Sequence, residues 1–324
     1  MKVGIVGAGF VGATTAYALV MRGVAREVLL VDIDEKRAHA EADDILHAVP
    51  FAHPVEVRSG SLASLSGSDL VIVTAGIGQK PGETRLELLQ RNASVIRSLM
   101  VEVISAAPRA LFLIASNPVD AMTHLAATFA REAGIPAGRV LGSGTTLDTA
   151  RFRSLLGRSL GLDAQHVHAY VLGEHGDSEV FNWSQVSVAG MPLQAYPLPS
   201  GCARLEGADK AEIERQVREA AYRIIEGKHA TYYGIGSALA HIAEAVLRDQ
   251  RAVLTVCAPV APDPCQIDDK ILGGLEGLTL SLPRIVGGSG IIATMAPSLD
   301  EDERAALRSS AIVVRNAIGS LKSA

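Results

Sequence analysis

The sequence has 324 residues, 48% apolar and 20% charged, which predicts one large or two modest folded domains and excludes a disordered chain or a coiled coil. The net charge of −5 comes without a basic run, and only 4% of the residues are aromatic. Since nucleic-acid binding needs a basic stripe and stacking surfaces, we expect no nucleic-acid partner.

The cysteines and the apolar segments indicate the compartment. Cys202, Cys257 and Cys265 lack Cys-x-x-Cys spacing, which favours a reducing environment over a disulfide framework. The apolar N-terminal stretch has four glycines and neither a basic n-region nor a small-residue cleavage site, unlike a signal peptide. No later stretch reaches the roughly 20 apolar residues of a membrane span. We therefore expect a cytoplasmic protein without membrane contact.

The first part of the chain alternates short β-rich runs with helical patterns. The predicted strands cover residues 2–7, 27–32, 55–59, 69–74, 110–115 and 139–142. The predicted helices cover residues 11–21, 35–49, 83–107 and 119–133. Apolar strands separated by helices predict an α/β fold, a Rossmann-type doubly wound parallel sheet covered on both faces.

The alternation becomes less regular after residue 142. The remaining predicted helices cover residues 145–160 and 203–226, a stretch after His229, and residues 300–321. The remaining predicted strands lie within residues 166–172, 252–258 and 278–286. This mixture predicts a second, α+β catalytic domain, so we expect domains of residues 1–143 and 144–324.

A glycine motif after the first strand indicates a dinucleotide site. The motif G-x-G-x-x-G opens the first helix and comprises Gly7, Ala8, Gly9, Phe10, Val11 and Gly12. Asp32, at the end of the second strand, lies 20 residues after Gly12. The glycines permit a tight turn, close approach of a pyrophosphate and close helix packing. Asp32 suits the ribose hydroxyls and would repel a 2′-phosphate, so NAD is the predicted cofactor.

The ends of two further predicted strands should lie at the same edge of the sheet. Their residues, which are candidates for cofactor contact, are Thr74, Ala75, Gly76, Ala115, Ser116 and Asn117. Asn117 would lie near both nicotinamide and substrate. An Asn-Pro turn after a strand explains the same residue equally well.

Three segments carry candidate reacting groups, each with an ordinary structural alternative. His175 lies in the glycine-bounded turn Gly-Glu-His-Gly-Asp, where a surface histidine is also common. Asp148 and Arg151 share a helix face, as an exposed ion pair would. Residues 76–85 form a lid or an ordinary polar connection that ends in Arg85. Without a His-Glu-x-x-His or Cys/His cluster, no metal site is predicted.

Together these segments closely resemble the L-lactate/malate dehydrogenase family, and within it the bacterial lactate enzymes. The motifs that carry the resemblance are GAGFVG, VLLVDID, TAGIGQKPGETRLELLQRN, ASNPVD, GSGTTLDTARFR, GEHGDSE and HATYYGIG. They occur in order from Gly7 to Gly236 and so cover most of the chain.

The resemblance implies a role for each candidate. His175 would be the general acid and base, held by Asp148, while hydride moves between NADH and the substrate. Arg151 would bind the substrate carboxylate in a bidentate manner, and Arg85 would polarise the carbonyl. The remaining substrate contacts implied by the family are Asn117 and Thr231.

Gln79 decides the implied substrate. The related malate enzymes have arginine at this position of the lid, where it neutralises a second carboxylate. A neutral amide suits pyruvate, so pyruvate and L-lactate are the expected pair. The alternatives are another 2-hydroxy-acid dehydrogenase of this fold, acting on malate or branched acids, or a dinucleotide-binding protein without turnover.

The family also implies a homotetramer and an effector. Fructose 1,6-bisphosphate activates many bacterial relatives at a subunit interface, and the matching residues here are Arg153 and His168. Arg153 lies two positions from Arg151 and so points away from the active-site face. Both residues could instead face solvent or a neighbouring chain, so the effector site is an expectation from resemblance alone.

Overall fold

The computed structural model describes residues 1–78, 84–197, 204–260 and 274–322, apart from the side chains of Arg85 and Lys322. Gln79 and the side chain of Arg85, two predicted substrate contacts, lie outside the described residues, as do Cys202 and Cys265. Within the described ranges, no helix combines the length and apolar character needed to cross a membrane.

The helices and strands of the described residues follow the predicted alternation. The helices are α1 (Phe10–Met21), α2 (Glu35–Ala48), α3 (Arg85–Ala106), α4 (Val119–Glu132), α5 (Thr146–Leu160), α6 (Gly207–Arg218), α7 (Ala220–Lys228), α8 (Tyr233–Leu247) and α9 (Glu301–Lys322). The strands are β1 (Lys2–Val6), β2 (Glu27–Val31), β3 (Glu56–Ser59), β4 (Leu70–Val73), β5 (Leu111–Ile114), β6 (Val140–Gly142), β7 (Val167–His168), β8 (Val171–Leu172), β9 (Val180–Phe181), β10 (Ser187–Val188), β11 (Met191–Pro192), β12 (Ala252–Leu254), β13 (Cys257–Pro259), β14 (Thr279–Ser281), β15 (Arg284–Gly287) and β16 (Gly290–Thr294). Up to residue 160, each predicted element is present, with bounds that differ by at most two residues.

The central sheet has the strand order of a doubly wound fold. Among the described residues its order is β14-β13-β6-β5-β4-β1-β2-β3, and the strands from β3 to β6 are parallel. The order reverses between β1 and β4, where Val3 pairs with Leu70 on one side and with Val28 on the other. Ligands bind at such a reversal, beyond the carboxyl ends of the strands. The predicted fold class is confirmed.

Helices on both faces bury the central strands. Every residue of β4 and β5 is buried, which explains their uninterrupted apolar sequences. One core packs residues of α1 and α2 against the sheet, and a second core packs α3 and α4 against its other face. Leu239 and Ile242 of α8 belong to the first core together with Ile5 of β1. The two parts of the chain therefore share a core.

Strands from the later part of the chain also extend the central sheet. β13 pairs antiparallel with β6 through Cys257 and Gly142, and β14 pairs antiparallel with β13. Beside this edge, Phe152 of α5 packs edge-to-face against Phe181 of β9 and against Trp183, with centroids 5.1 and 4.8 Å apart. This packing fixes α5 against β9 and the segment that follows it.

Three predictions for the later part were wrong in detail. The helix predicted over residues 203–226 is two helices, α6 and α7, which are separated at Glu219 with neither Gly nor Pro to mark the break. The strand predicted over 252–258 divides because β12 pairs with β15 while β13 joins the central sheet. The strand predicted over 278–286 divides at Pro283, which has no N–H to continue a ladder.

Candidate active site

The glycine turn at the end of β1 has the geometry that a dinucleotide requires. Gly7 has φ of +107°, and a Cβ there would lie 2.6 Å from the Ala75 nitrogen. A Cβ at Gly12 would lie 1.8 Å from the Gly7 carbonyl oxygen, so only glycine allows α1 to begin here. A Cβ at Gly9 would meet nothing within 4 Å. This open space at the N-terminus of α1 is where a pyrophosphate can approach the backbone.

Asp32 is held at the end of β2 in contact with this turn. Its Oδ2 accepts a hydrogen bond of 2.6 Å from the Ala8 N–H, and its Oδ1 accepts one of 3.0 Å from the Asp34 N–H. The carboxylate is half-buried, and each oxygen retains further acceptor capacity. These bonds fix the carboxylate beside the glycine turn, as binding of a ribose hydroxyl requires.

The candidate cofactor residues that follow β4 and β5 lie at the same edge of the sheet as the glycine turn and Asp32. Thr74 Oγ1 donates to the Gly7 carbonyl at 2.8 Å, and Ser116 Oγ donates to the Ala75 carbonyl. Gly76 and Asn117 are exposed, while Ala115 is half-buried beside Ser116. The structure thus brings the candidate cofactor contacts that follow β1, β2, β4 and β5 to one edge of the sheet.

Sequence reasoning missed Asn92 of α3, which connects this edge to the lid. Its Oδ1 accepts from the Ile77 N–H at 2.7 Å, and its Nδ2 donates to the carbonyls of Ile77 and Asn117 at 3.2 and 3.0 Å. Asn92 is buried. It lies inside a motif that carried the resemblance, which was the available signal, but its spacing alone indicates no role.

His175 and Asp148 form a short, partly buried contact. His175 Nδ1 lies 2.6 Å from Asp148 Oδ2, and the histidine side chain is 28% exposed while the aspartate is 3% exposed. An ionised carboxylate can only accept a hydrogen bond, so Nδ1 carries a proton and Nε2 is left for the substrate. An isolated surface histidine does not have this environment.

Arg151 completes the group on the same face of α5. Its Nη1 donates to Asp148 Oδ1 at 2.9 Å, and its side chain is 17% exposed. The pair is therefore not the exposed ion pair that the spacing also allowed. The other guanidinium nitrogens make no hydrogen bond to a described residue, which leaves donors for an anion.

The backbone around His175 is tied firmly to the start of α5. Gly173, with φ of +87°, exchanges two backbone hydrogen bonds of 2.9 Å with Ser281. The hydroxyl of Thr145 donates to the Val171 carbonyl, and the Thr145 N–H donates to Ser281 Oγ. These bonds connect α5, β8 and β14, and so they align Asp148 with the histidine turn.

Asp120 is a second acid beside His175 that the sequence analysis did not identify as a site residue. Its Oδ2 accepts the His175 backbone N–H at 2.8 Å, and its Oδ1 has no hydrogen-bond partner among the described residues. Asp120 is the second residue of α4, which begins directly after the Asn-Pro turn, so the edge that carries Asn117 also holds the histidine. Its place in the ASNPVD motif was the available signal.

The charges of the cluster shift its proton affinities in opposite directions. The carboxylate of Asp148 raises the pKa of His175 to about 9, against the opposing effect of burial. Burial disfavours ionisation of Asp148, but the charges of His175 and Arg151 outweigh it and lower the pKa of Asp148. Burial raises the pKa of Asp120 to about 6. At neutral pH the pair is therefore an imidazolium and a carboxylate.

Thr231 lies between α7 and α8 and is half-buried. Within the described part of the chain it forms no hydrogen bond, so the structure does not join it to the His175 cluster. Its neighbour Tyr232 stacks on Phe10 of the glycine turn at a centroid distance of 5.2 Å. This stacking places the Thr231 segment beside the cofactor turn. Val11, the residue after Phe10 in that turn, is half-buried.

The two candidate effector residues lie on neighbouring segments. Arg153 Nε donates to the Ala169 carbonyl at 2.9 Å, and its guanidinium lies 5.0 Å from the centre of the Tyr170 ring. His168, next to Ala169 in the chain, is exposed on β7. Arg153 thus contacts the segment that directly follows His168.

Comparisons with known proteins agree with this geometry. The family description "lactate/malate dehydrogenase, NAD binding domain" matches residues 1–142, and "lactate/malate dehydrogenase, alpha/beta C-terminal domain" matches residues 145–323. The chain is 58% identical to an L-lactate dehydrogenase of Geotalea daltonii over 321 residues, and the match covers 99% of both chains. An L-lactate dehydrogenase of Thermus aquaticus is 54% identical over 321 residues, again with 99% of both chains covered.

Solved structures show the same similarity. A minor L-lactate dehydrogenase from Enterococcus mundtii, crystallised with ligands, matches with a TM-score of 0.90 and 39% identity over 99% of this chain and 98% of that one. A lactate dehydrogenase from a deep-sea metagenome library matches with a TM-score of 0.91 and 35% identity over the same shares. The chain therefore belongs to the lactate/malate dehydrogenase family of oxidoreductases and contains that family's NAD-binding domain.

Proposed function

We propose that the protein is an NAD-dependent L-lactate dehydrogenase, which interconverts pyruvate and NADH with L-lactate and NAD. The observation that carries the proposal is the 2.6 Å contact between His175 Nδ1 and Asp148 Oδ2, beside a free face of the Arg151 guanidinium. The L-lactate dehydrogenases of Geotalea daltonii and Thermus aquaticus, which match along their whole length, support the choice of substrate.

His175 exchanges the proton of the reaction. When NADH is bound, it supplies the hydride that forms the new C–H bond at the keto carbon. The Nε2–H of the imidazolium gives its proton to the keto oxygen, and neutral His175 takes the hydroxyl proton back in the reverse direction. Asp148 keeps Nδ1 protonated and stabilises the cation, so the imidazole does not lose its orientation between turnovers.

Cationic and polar groups around the imidazole hold the substrate. Arg151 binds the carboxylate through the donors that Asp148 leaves free, since a planar guanidinium matches a planar anion. Asn117 and Thr231 contribute further hydrogen bonds to the substrate. Arg85, from the start of α3, stabilises the negative charge that develops on the keto oxygen as the lid excludes water.

Gln79 makes pyruvate the preferred substrate over oxaloacetate. An oxaloacetate bound under a closed lid would bury its second carboxylate beside an uncharged amide, which is unfavourable. The decisive assay mixes the protein with NADH and, in turn, pyruvate, oxaloacetate or 2-ketoisocaproate, and follows NADH absorbance. Faster turnover of oxaloacetate or of 2-ketoisocaproate would replace this proposal with a malate or branched-acid dehydrogenase. Binding of NADH without any turnover would replace it with a non-catalytic protein.

We also propose a cytoplasmic homotetramer that responds to fructose 1,6-bisphosphate through Arg153 and His168. The proximity of the two residues, through Ala169, supports a shared anion site at a subunit contact. Like charges that meet across a two-fold axis repel, and a bisphosphate between them would favour the assembled form. Pyruvate affinity and oligomer mass should both rise when the bisphosphate is added. If neither changes, the effector site is wrong.

A further inference from the structure

Lys228, the last residue of α7, carries a buried ammonium group that the proposed mechanism does not use. Its Nζ is shielded from solvent and has no hydrogen-bond partner among the described residues. A buried ammonium group is normally paired with an acid or with several carbonyl oxygens, because removing an unpaired charge from water is costly. The position of this group therefore needs an explanation.

Two tyrosine rings make close contact with the Lys228 ammonium group. Its Nζ lies 3.3 Å from the centre of the Tyr232 ring and 4.1 Å from the centre of the Tyr233 ring. The two rings also meet edge-to-face, with centroids 4.5 Å apart. The face of an aromatic ring attracts a cation, and the attraction is stronger where water is excluded. The Tyr232 ring thus takes the place of an acidic partner.

Tyr232 is itself fixed to the cofactor turn and to the start of α8. Its ring stacks on Phe10 with an angle of 21° between the two planes. Its carbonyl accepts the Gly236 N–H at 2.8 Å, in the first turn of α8. A Cβ at Gly236 would lie 2.7 Å from Thr14 Cγ2, so α8 packs closely against α1 at this point. Lys228 therefore holds the end of α7 against a ring that is already anchored.

The turn between Lys228 and Tyr232 contains Thr231 and a residue in an unfavourable conformation. His229 ends α7 with φ of +65°, in the left-handed region that residues with a side chain rarely adopt. Such a conformation persists only where the surrounding contacts fix it. All nine residues of α7 are described and none is buried, so core packing does not supply this restraint. The contact of the ammonium group with the ring does.

We propose that Lys228 is a positioning residue: its ammonium group, held on the Tyr232 ring, closes the turn of residues 229–231 and so sets where Thr231 lies relative to the cofactor turn. This inference deepens the proposed function and rests on Thr231 being a substrate contact. Lys228 acts through Thr231, whereas the chemical step depends on His175. Loss of the contact should therefore weaken the binding of pyruvate more than it slows turnover of the bound substrate.

The first test removes the cation and keeps most of the side chain. In Lys228→Met, the KM for pyruvate at saturating NADH should rise roughly 2- to 30-fold, the range expected for a cation–ring contact, while kcat changes less. Lys228→Arg keeps a cation that can stack on the ring and should restore most of the affinity. Lys210→Met is the matched control, because Lys210 Nζ lies 5.1 Å from the centre of the Trp183 ring, outside the Thr231 segment. This control should leave the KM in place.

A second set of variants separates the contact from the charge alone. Tyr232→Leu keeps the Lys228 cation but removes the ring face, so it should raise the KM as Lys228→Met does. Tyr232→Phe keeps the face and should stay closer to wild type. The double variant of Lys228→Met and Tyr232→Leu should be no worse than either single one, since both remove one interaction. A wild-type KM in Tyr232→Leu, or fully additive effects in the double variant, would overturn the inference.

A direct observation of the lysine separates this inference from the proposed function. Protons above an aromatic ring resonate upfield, so in wild-type protein without ligands the Cε protons of Lys228 should be shifted upfield. The measurement is carbon–proton NMR of lysine-labelled protein, with the signal assigned by its loss in Lys228→Arg. An ordinary Cε position in wild type would overturn the inference whatever the stability of the variants. A shifted signal that moves back in Tyr232→Leu, in a protein that reduces no keto acid, would support the contact and overturn only the proposed function.

Discussion

The cofactor turn and the catalytic cluster differ in how they are built. The turn uses backbone shape, because Gly7, Gly9 and Gly12 lie within six consecutive residues and act through the absence of a side chain. The cluster uses side chains from α4, α5 and the β8–β9 connection, which meet only after the sheet has formed. A local motif can be recognised from spacing, whereas the cluster needs the topology as well.

The largest effect should come from breaking the cluster while the turn stays intact. His175→Asn removes the proton donor, so turnover of pyruvate should fall by about 10²–10⁴-fold, the usual contribution of a general acid. NADH binding, followed by its fluorescence, should remain because the glycine turn and Asp32 are untouched. Wild-type activity in this variant would contradict the mechanism.

Asp148→Asn provides the control for the histidine variant. The imidazole is kept, but the carboxylate that stabilises its cation is lost, so the pKa of His175 should fall. Pyruvate reduction should weaken, most of all at high pH, while NADH still binds. An unchanged pH profile would mean that Asp148 does not act through the imidazole.

A second large effect concerns the lid, which belongs neither to the cofactor turn nor to the catalytic cluster. Gln79→Arg gives oxaloacetate a bidentate partner and leaves an unpaired cation when pyruvate is bound. Since about 1.4 kcal/mol corresponds to a tenfold change, the kcat/KM ratio of oxaloacetate to pyruvate should rise by orders of magnitude. Gln79→Met removes the amide without adding charge and should leave the ratio in place.

The outcome at Gln79 bears directly on the substrate assignment. Lys80, the next residue in the sequence, could already reduce the preference for pyruvate over oxaloacetate. This would appear as measurable oxaloacetate turnover in the wild-type enzyme. If Gln79→Arg changes the ratio by only a few-fold, Gln79 does not face the substrate. The preference for lactate over malate would then lose its main support.

The turn itself can be divided into a packing function and a binding function. Gly12→Ala forces a Cβ against the Gly7 carbonyl, and backbone cannot move aside as a side chain can. We expect a loss of about 1–3 kcal/mol of stability, visible as a lower Tm, together with weaker NADH binding. Gly9→Ala meets open space, so it should keep the Tm and weaken NADH binding alone. An unchanged Tm in Gly12→Ala would contradict this division.

The sequence predicts most of the first part of the fold because buried strands and amphipathic helices carry strong periodic signals. It predicts less of the later part, where two-residue strands such as β9 and β10 have no periodicity and the break at Glu219 has no Gly or Pro. The residues of the catalytic cluster could be identified only by resemblance. Asp120 shows why, since burial and a long-range contact with the His175 backbone, not spacing, determine the environment of this acid.

The smallest effect concerns the stability that the folded state loses because Asp120, an ionisable acid, is buried next to the His175 backbone. Burial raises the pKa of Asp120 from 3.8 to about 6, so ionisation above pH 6 destabilises the folded state relative to the unfolded one. Below pH 4 the group is protonated in both states and contributes nothing. Asp120→Asn keeps an oxygen for the His175 N–H and cannot ionise. Both Tm values are measured by calorimetry without ligands. The Tm of the variant minus that of the wild type should therefore increase as the pH rises from 4 to 7.

The exposed acid Asp44 of α2 supplies the comparison for this measurement. Asp44→Asn also removes one carboxylate, but at the surface, where water solvates the charge in both states. Its Tm difference should change less over the same pH range. If the two variants behave alike, burial does not control the charge of Asp120. The acid would then hold the histidine turn by its hydrogen bond alone.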